Sequence, residues 1–182
     1  GAKVPGLFWA TKNHNILTIN NMNQSKKGPR FLTFDWPQGF LSEFCAEPDK
    51  AHFIGYHMAY EDYVHTRKIE YKQSCYVITD EVENNTGGEI NVRLNWNLGT
   101  NFTVVGSNKY WLQVASDEWI ELSIKSLTSG KATVFCGNEE LPAGWSSLYY
   151  GEKKSINQLI YEVDTSLTKE VLQTSVVLKV KR

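Results

Sequence analysis

A chain of 182 residues suffices for one domain, and all-β sandwiches of this size commonly stay undivided. With 19 Lys and Arg against 20 Asp and Glu the formal net charge is −1. That balance removes the whole-molecule field that would draw nucleic acid or an anionic membrane, so an anionic ligand has to be held by a local cluster. No run approaches the roughly 18 apolar residues of a membrane span.

Six Trp, nine Tyr and eight Phe, with many β-branched residues, favour sheet over helix. The three cysteines, Cys45, Cys75 and Cys136, leave at least one unpaired, and each sits in an apolar run that suits a core thiol. The chain opens Gly1-Ala2 without Met, as expected of a sequence that has lost a leader or an upstream domain.

In chain order, residues 7–11 and 14–19 read as two short strands. Asn20 to Pro29 is a polar loop closed by Gly28-Pro29. Residues 30–36 alternate up to Pro37, and Gly39 to Glu47 follows as a strand. His52 to Val82 then organises the chain as three long antiparallel strands (52–60, 63–72 and 75–82). Short polar turns at Glu61-Asp62 and Gln73-Ser74 join them.

Glu83 to Gly88 is a turn by composition. Residues 89–97 put Ile90, Val92, Leu94 and Trp96 on one face and polar residues on the other, the mark of a half-buried strand. Short strands continue over 101–105, 109–115, 118–125, 131–136, 145–151, 156–163 and 171–180. Lys154 to Ile160 also suits one helical turn. The expected fold is all-β, an antiparallel two-sheet sandwich (supersandwich-like) of about a dozen strands, in one domain over 1–182.

Chemistry-bearing residues are sparse. His57 and His65 flank the Glu61-Asp62 turn, so a hairpin sets them opposite one another, as a cross-strand pair or with a carboxylate as a zinc site. His65 and Arg67 share a face. Arg67 either holds a carboxylate or sulfate of a ligand or pairs with Asp80 or Glu70 across the sheet. Lys12, Lys26, Lys27 and Arg30 surround the Asn-rich loop and, with Trp36, form a candidate lip for a sugar acid. Asn84-Asn85-Thr86 and Asn101-Phe102-Thr103 match the glycosylation pattern, which has meaning only in a secreted eukaryotic protein. A Gly-rich phosphate loop, paired-Cys zinc spacing and Gly-x-Ser-x-Gly are all absent from the sequence.

Several stretches, taken in order, resemble the heparinase II/III-like polysaccharide lyases. They are His14-Asn15-Ile16-Leu17-Thr18-Ile19-Asn20-Asn21 with Gln24, then His65-Thr66-Arg67-Lys68-Ile69, then Tyr76 to Val82 and Trp96-Asn97-Leu98. Gly144-Trp145-Ser146-Ser147 and Tyr150-Gly151-Glu152-Lys153 follow. The resemblance implies the C-terminal β-sandwich of an enzyme whose upstream part is an α/α toroid. Such enzymes cleave uronic-acid glycosaminoglycans or alginate by β-elimination. A base takes the C5 proton, an acid protonates the leaving oxygen, and the uronate charge is neutralised.

The family's catalytic side chains belong to the toroid and to a His-x-His-x-Asp segment, neither of which is in this sequence, so no catalytic residue is assigned here. His14 matches a histidine that in some members joins an upstream His and Asp on zinc. The fragment is therefore expected to hold no cofactor, and the full-length protein to hold zinc. Arg67, His65, Trp36 and Tyr150 are the candidate substrate contacts. The expected partners are the toroid and an acidic polysaccharide, not nucleic acid or membrane, with self-association of the isolated domain. A bacterial periplasmic or secreted location accompanies that reading. Two rivals remain: a free-standing carbohydrate-binding module using Trp36, Trp145 or Tyr150, and a small complete lyase built from His65, Arg67 and Tyr76.

Overall fold

The computed structural model describes residues 7–30, 32–99, 102–104, 108–114, 117–149 and 152–180. Among them are two 3-10 turns, Leu7–Trp9 and Thr11–Asn13, and sixteen strands. The first seven are β1 (Leu17–Ile19), β2 (Lys26–Lys27), β3 (Thr33–Phe34), β4 (Gly39–Glu47), β5 (Lys50–Tyr60), β6 (Tyr63–Lys72) and β7 (Cys75–Asn84). Then come β8 (Ile90–Gly99), β9 (Phe102–Val104), β10 (Lys109–Gln113), β11 (Glu118–Ser126) and β12 (Lys131–Cys136). Last are β13 (Trp145–Ser146), β14 (Lys154–Ser155), β15 (Asn157–Thr165) and β16 (Lys169–Val180).

Two sheets make a sandwich. The larger has eight strands in the order β4-β5-β6-β7-β16-β11-β10-β9, and the smaller has four in the order β1-β8-β15-β12. Every pairing in both is antiparallel. Between the sheets lie Leu17, Ile19, Val92, Leu94 and Leu159 from the smaller and Val82, Leu122, Ile124 and Leu172 from the larger, all buried. Each such side chain, fully buried, stabilises by about 1.5–3 kcal/mol.

The central meander forms as its sequence indicates. Its second turn has positive φ at both Gln73 (51°) and Ser74 (61°), as a two-residue hairpin with the right-handed twist of its strands requires. β4 extends it to four strands.

Four local expectations fail for identifiable reasons. Residues 7–16 form 3-10 turns instead of strands, closed by His14 N–H on the Thr11 carbonyl and Ile16 N–H on the His14 carbonyl; only Leu17–Ile19 pairs. Arg30 (φ 57°) and Asp35 (φ 54°) lie in the left-handed region and break the alternating run, leaving Thr33–Phe34. Of the expected 145–151 strand, residues 150 and 151 lie outside the described residues; among the rest only Trp145–Ser146 pairs, and Glu152 N–H folds back onto the Tyr149 carbonyl. Lys154 to Ile160 forms no helical turn, because residues from Asn157 on are taken up by β8 on one side and β12 on the other.

The sheets differ in width, and this matters for function. One face of the larger sheet runs from the core at Leu172 and Ile78 outwards through Ile69 and Phe53 to Leu41 and Phe44 on β4. The smaller sheet covers the core end only. At the other end Leu41 is 64% and Phe44 68% exposed, on the same face as the buried core.

Candidate functional site

Register brings the chemistry together. Pairing of β5 with β6 sets His57 opposite His65 and Gly55 opposite Arg67; pairing of β6 with β7 sets Arg67 opposite Asp80. Since side chains alternate in period 2, His57, His65, Arg67 and Asp80 all project from one face.

Asp80 is 0% and His65 3% exposed. Arg67 donates from Nε to Asp80 Oδ1 (2.7 Å) and from Nη2 to Oδ2 (3.0 Å), while His65 Nε2 lies 2.6 Å from the same Oδ1. The third guanidinium nitrogen, Nη1, donates to the Asn15 carbonyl at 2.8 Å, and the group sits 5.5 Å from the Trp96 ring. His65 Nδ1 is 3.0 Å from His57 Nε2, and the Gln24 amide is 2.9 Å from that same Nε2. Ala59 N–H donates to His57 Nδ1 at 3.3 Å, so both ring nitrogens of His57 are engaged.

The network sets its own ionisation. Burial lowers the His57 pKa from 6.5 to about 4, helped by the charges of His65 and Arg67 and opposed by Asp80. Burial alone would raise Asp80, but the hydrogen bond from His65 and the charge and hydrogen bonds of Arg67 outweigh it and hold the carboxyl below its ordinary value. Burial also raises the Tyr60 phenol; its O–H donates to the Leu17 carbonyl at 3.1 Å. The cluster is thus an ionised Asp80–Arg67 pair, extended by two imidazoles and tied to the chain on either side of β1.

Two concavities flank it. The first, of about 400 Å³, has His57, His65 and Arg67 on its floor and Ile16, Leu41 and Phe53 among its walls. Gly55 keeps it open: a Cβ there would fall 2.6 Å from the Phe53 ring and 3.1 Å from the Phe40 carbonyl. The second is a groove of about 1040 Å³ between the Asn20–Lys27 loop, Trp36 and the end of the β5–β6 hairpin.

The sequence-derived candidates fall into separate places. His65 and Arg67 meet in the first concavity, where Arg67 takes the Asp80 pairing that its spacing allowed. Trp36, 79% exposed, lines the groove with Lys26 and Lys27; Lys12 and Arg30 are outside that lining. Tyr150 lies outside the described residues. His14 is exposed, and no group of three or more His, Cys, Asp or Glu placed to hold a metal exists among the described residues. His14 is a single imidazole, and the upstream His and Asp expected to join it on zinc are not in this sequence. Gln24, Asn15 and Gly55 were not singled out as site residues. Asn15 and Gln24 carried a signal only as members of the resembling stretch, and Gly55 only through alternation, which places it on the His57 face.

A family model described as "Heparinase II/III-like, C-terminal" matches residues 6–174. The chain belongs to this family. Among solved structures, a heparinase III aligns over 97% of this chain and 25% of its own at 16% identity, with a TM-score of 0.77. A heparan sulfate lyase from Pedobacter heparinus aligns over 98% of this chain and 26% of its own at 11% identity, also at 0.77. A third, a heparinase III gene product, gives 92%, 24%, 16% and 0.70. At such identities the likeness shows the heparinase II/III C-terminal fold, and the chain spans about a quarter of the length of these proteins. No curated protein matches the sequence.

Proposed function

We propose that this heparinase II/III-like domain is the C-terminal β-sandwich of a bacterial polysaccharide lyase, periplasmic or secreted, that cleaves uronic-acid polysaccharides by β-elimination. By itself the domain is inactive. It braces an upstream α/α toroid and forms one wall of the substrate cleft.

The observation that supports this most is the unequal width of the sheets. Leu41 and Phe44 continue the core face yet lie in water, as expected of a surface completed by further polypeptide. The length of the family's solved members agrees with that reading.

Elimination needs a base at the C5 proton, an acid at the leaving oxygen and donors on the uronate carboxylate. In the His57–His65–Asp80–Arg67 cluster the donors are turned inward: Arg67 spends both arms of its fork on Asp80 and the third nitrogen on Asn15. The cluster's part in this reading is to hold the segment around β1 rigid against the sheet, so that the cleft wall keeps its shape.

The test is the ultraviolet absorbance of unsaturated uronate after incubation with heparan sulfate, chondroitin sulfate or alginate. The 182-residue chain and the product of its whole natural reading frame are compared. The expected result is product from the longer protein only. Turnover by the 182-residue chain, or a natural frame that starts near Gly1, overturns the reading. The second outcome favours a free-standing carbohydrate-binding module, to which the exposed indole of Trp36 is suited.

A further inference from the structure

The larger groove has properties that the bracing role does not use. Its wall, the loop from Asn20 to Lys27, is held from both ends before any ligand arrives. Asn20 and Asn21 turn the chain with φ of 50° and 55°, a conformation Asn tolerates, and Met22 N–H closes on the Ile19 carbonyl at 2.9 Å. Thr11 N–H donates to Asn23 Oδ1 at 2.9 Å, and Gln24 N–H donates to Thr11 Oγ1 at 2.9 Å. The Gln24 side chain is fixed by His57, and Asn20 Nδ2 reaches the Tyr63 hydroxyl at 3.2 Å. A wall fixed in this way loses little entropy on binding.

The lining combines flat apolar faces with amides. Trp9, Trp36 and Met58 supply the first, and Asn21, Asn23 and Gln38 the second. Trp36 is 79% exposed, and its indole N–H is already satisfied by the Thr33 carbonyl, so what it offers to the groove is the ring face. An indole face fits the C–H face of a pyranose ring, while amides both donate to and accept from hydroxyls. Charge is mixed: Lys26 and Lys27 stand against Asp35, Glu61 and Asp62. Such a lining exerts little net pull on a densely charged polymer, and the lysines provide for an isolated carboxylate.

We propose that this groove is an oligosaccharide subsite, in which Trp36 stacks on a sugar ring, the loop amides hold its hydroxyls and the glycan is of low charge density. The inference rests on the polysaccharide reading above and adds a location and a mode of recognition. Because stacking and neutral hydrogen bonds carry the contact, binding is only weakly sensitive to salt.

Calorimetric titration of the 182-residue chain tests it, with size-defined unsulfated uronate oligosaccharides and heparin oligosaccharides of equal length at two salt concentrations. The expected result is binding of the unsulfated ligand that persists at high salt, weakened tenfold or more in Trp36→Ala and largely retained in Trp36→Phe. Thermal melting shows whether each variant is folded. Gln38→Ala serves as a second probe of the same groove.

No binding of either ligand overturns the proposal. So does binding that Trp36→Ala and Gln38→Ala leave unchanged, or binding confined to heparin at low salt, which is charge adsorption alone. A parent protein active as a lyase whose domain fails this titration removes the subsite and keeps the lyase reading. Binding here with no turnover in the parent does the reverse.

Discussion

Arg67 grips Asp80 side-on through two hydrogen bonds of 2.7 and 3.0 Å, from adjacent strands, with the carboxylate at 0% exposure. The pair is directly cross-strand, so the sheet itself sets the geometry. Its stabilising value depends on both partners being present. Asp80→Asn leaves a largely buried guanidinium without its counter-charge and is expected to destabilise the domain by about 3–5 kcal/mol. Replacing both, as Arg67→Met with Asp80→Leu, is expected to recover part of that loss, since no orphaned charge remains although His65 Nε2 loses its carboxylate. Urea denaturation of the wild type and the two variants measures the difference.

The same cluster dictates how stability varies with pH. His57 has a folded pKa of about 4 against an ordinary 6.5, so the unfolded chain binds the extra proton between those values. Stability from neutral His57 is complete above 6.5 and is lost as pH falls toward 4. The Asp80 carboxyl lies below its ordinary 3.8, so its contribution is present above that value and is lost as pH falls through the lower folded value. The melting temperature is therefore expected to decline in two stages on acidification, the first beginning near pH 6.5. In His57→Gln the first stage should disappear and the second remain, which a pH series of thermal melts reads directly.

Gly144 marks a position where only glycine fits. It has φ of 74°, and a Cβ would lie 2.7 Å from the Phe135 carbonyl, 2.8 Å from Gly137 N and 2.8 Å from the Ile156 carbonyl. All three contacts are backbone, so no rotamer change relieves them. The left-handed conformation alone costs an L-residue about 1–3 kcal/mol, and displacement of the backbone adds to it. Gly144→Ala is expected to lower the denaturation midpoint clearly, whereas Gly39→Ala, with nothing within 4 Å of its Cβ, should change it little.

How much of this was legible differs from segment to segment. The β5–β6–β7 meander was, because alternation and short polar turns are local signals, and with it came the opposition of His57 and His65 and the pairing of Arg67 with Asp80. The unequal sheets were not, because strand order depends on which edges meet. β16 inserts between β7 and β11, and β15 between β8 and β12, through contacts distant in sequence. The role of the residue 11–24 segment was also hidden. Its partners, Gln24 on His57 and the Asn15 carbonyl on Arg67, are 33 and 52 residues apart, and a carbonyl has no sequence signature. Trp36 was legible as an aromatic near lysines. The loop amides that complete its groove became visible only once Asn20 and Asn21 were seen to turn the chain.

The exposed end of the core face carries the last expectation. Leu41, Phe44 and, at 47% exposure, Tyr76 share that face, and β4 is the edge strand of its sheet. An apolar face beside an open strand edge favours pairing with a second copy. The 182-residue chain is therefore expected to self-associate with rising concentration. Leu41→Lys with Phe44→Lys should shift it to monomer without loss of melting temperature, because both side chains are mostly in water already. Light scattering over a concentration series reads the first, and thermal melting the second. A wild-type chain that stays monomeric throughout would show that this face needs no cover, and would weaken the case that further polypeptide completes it.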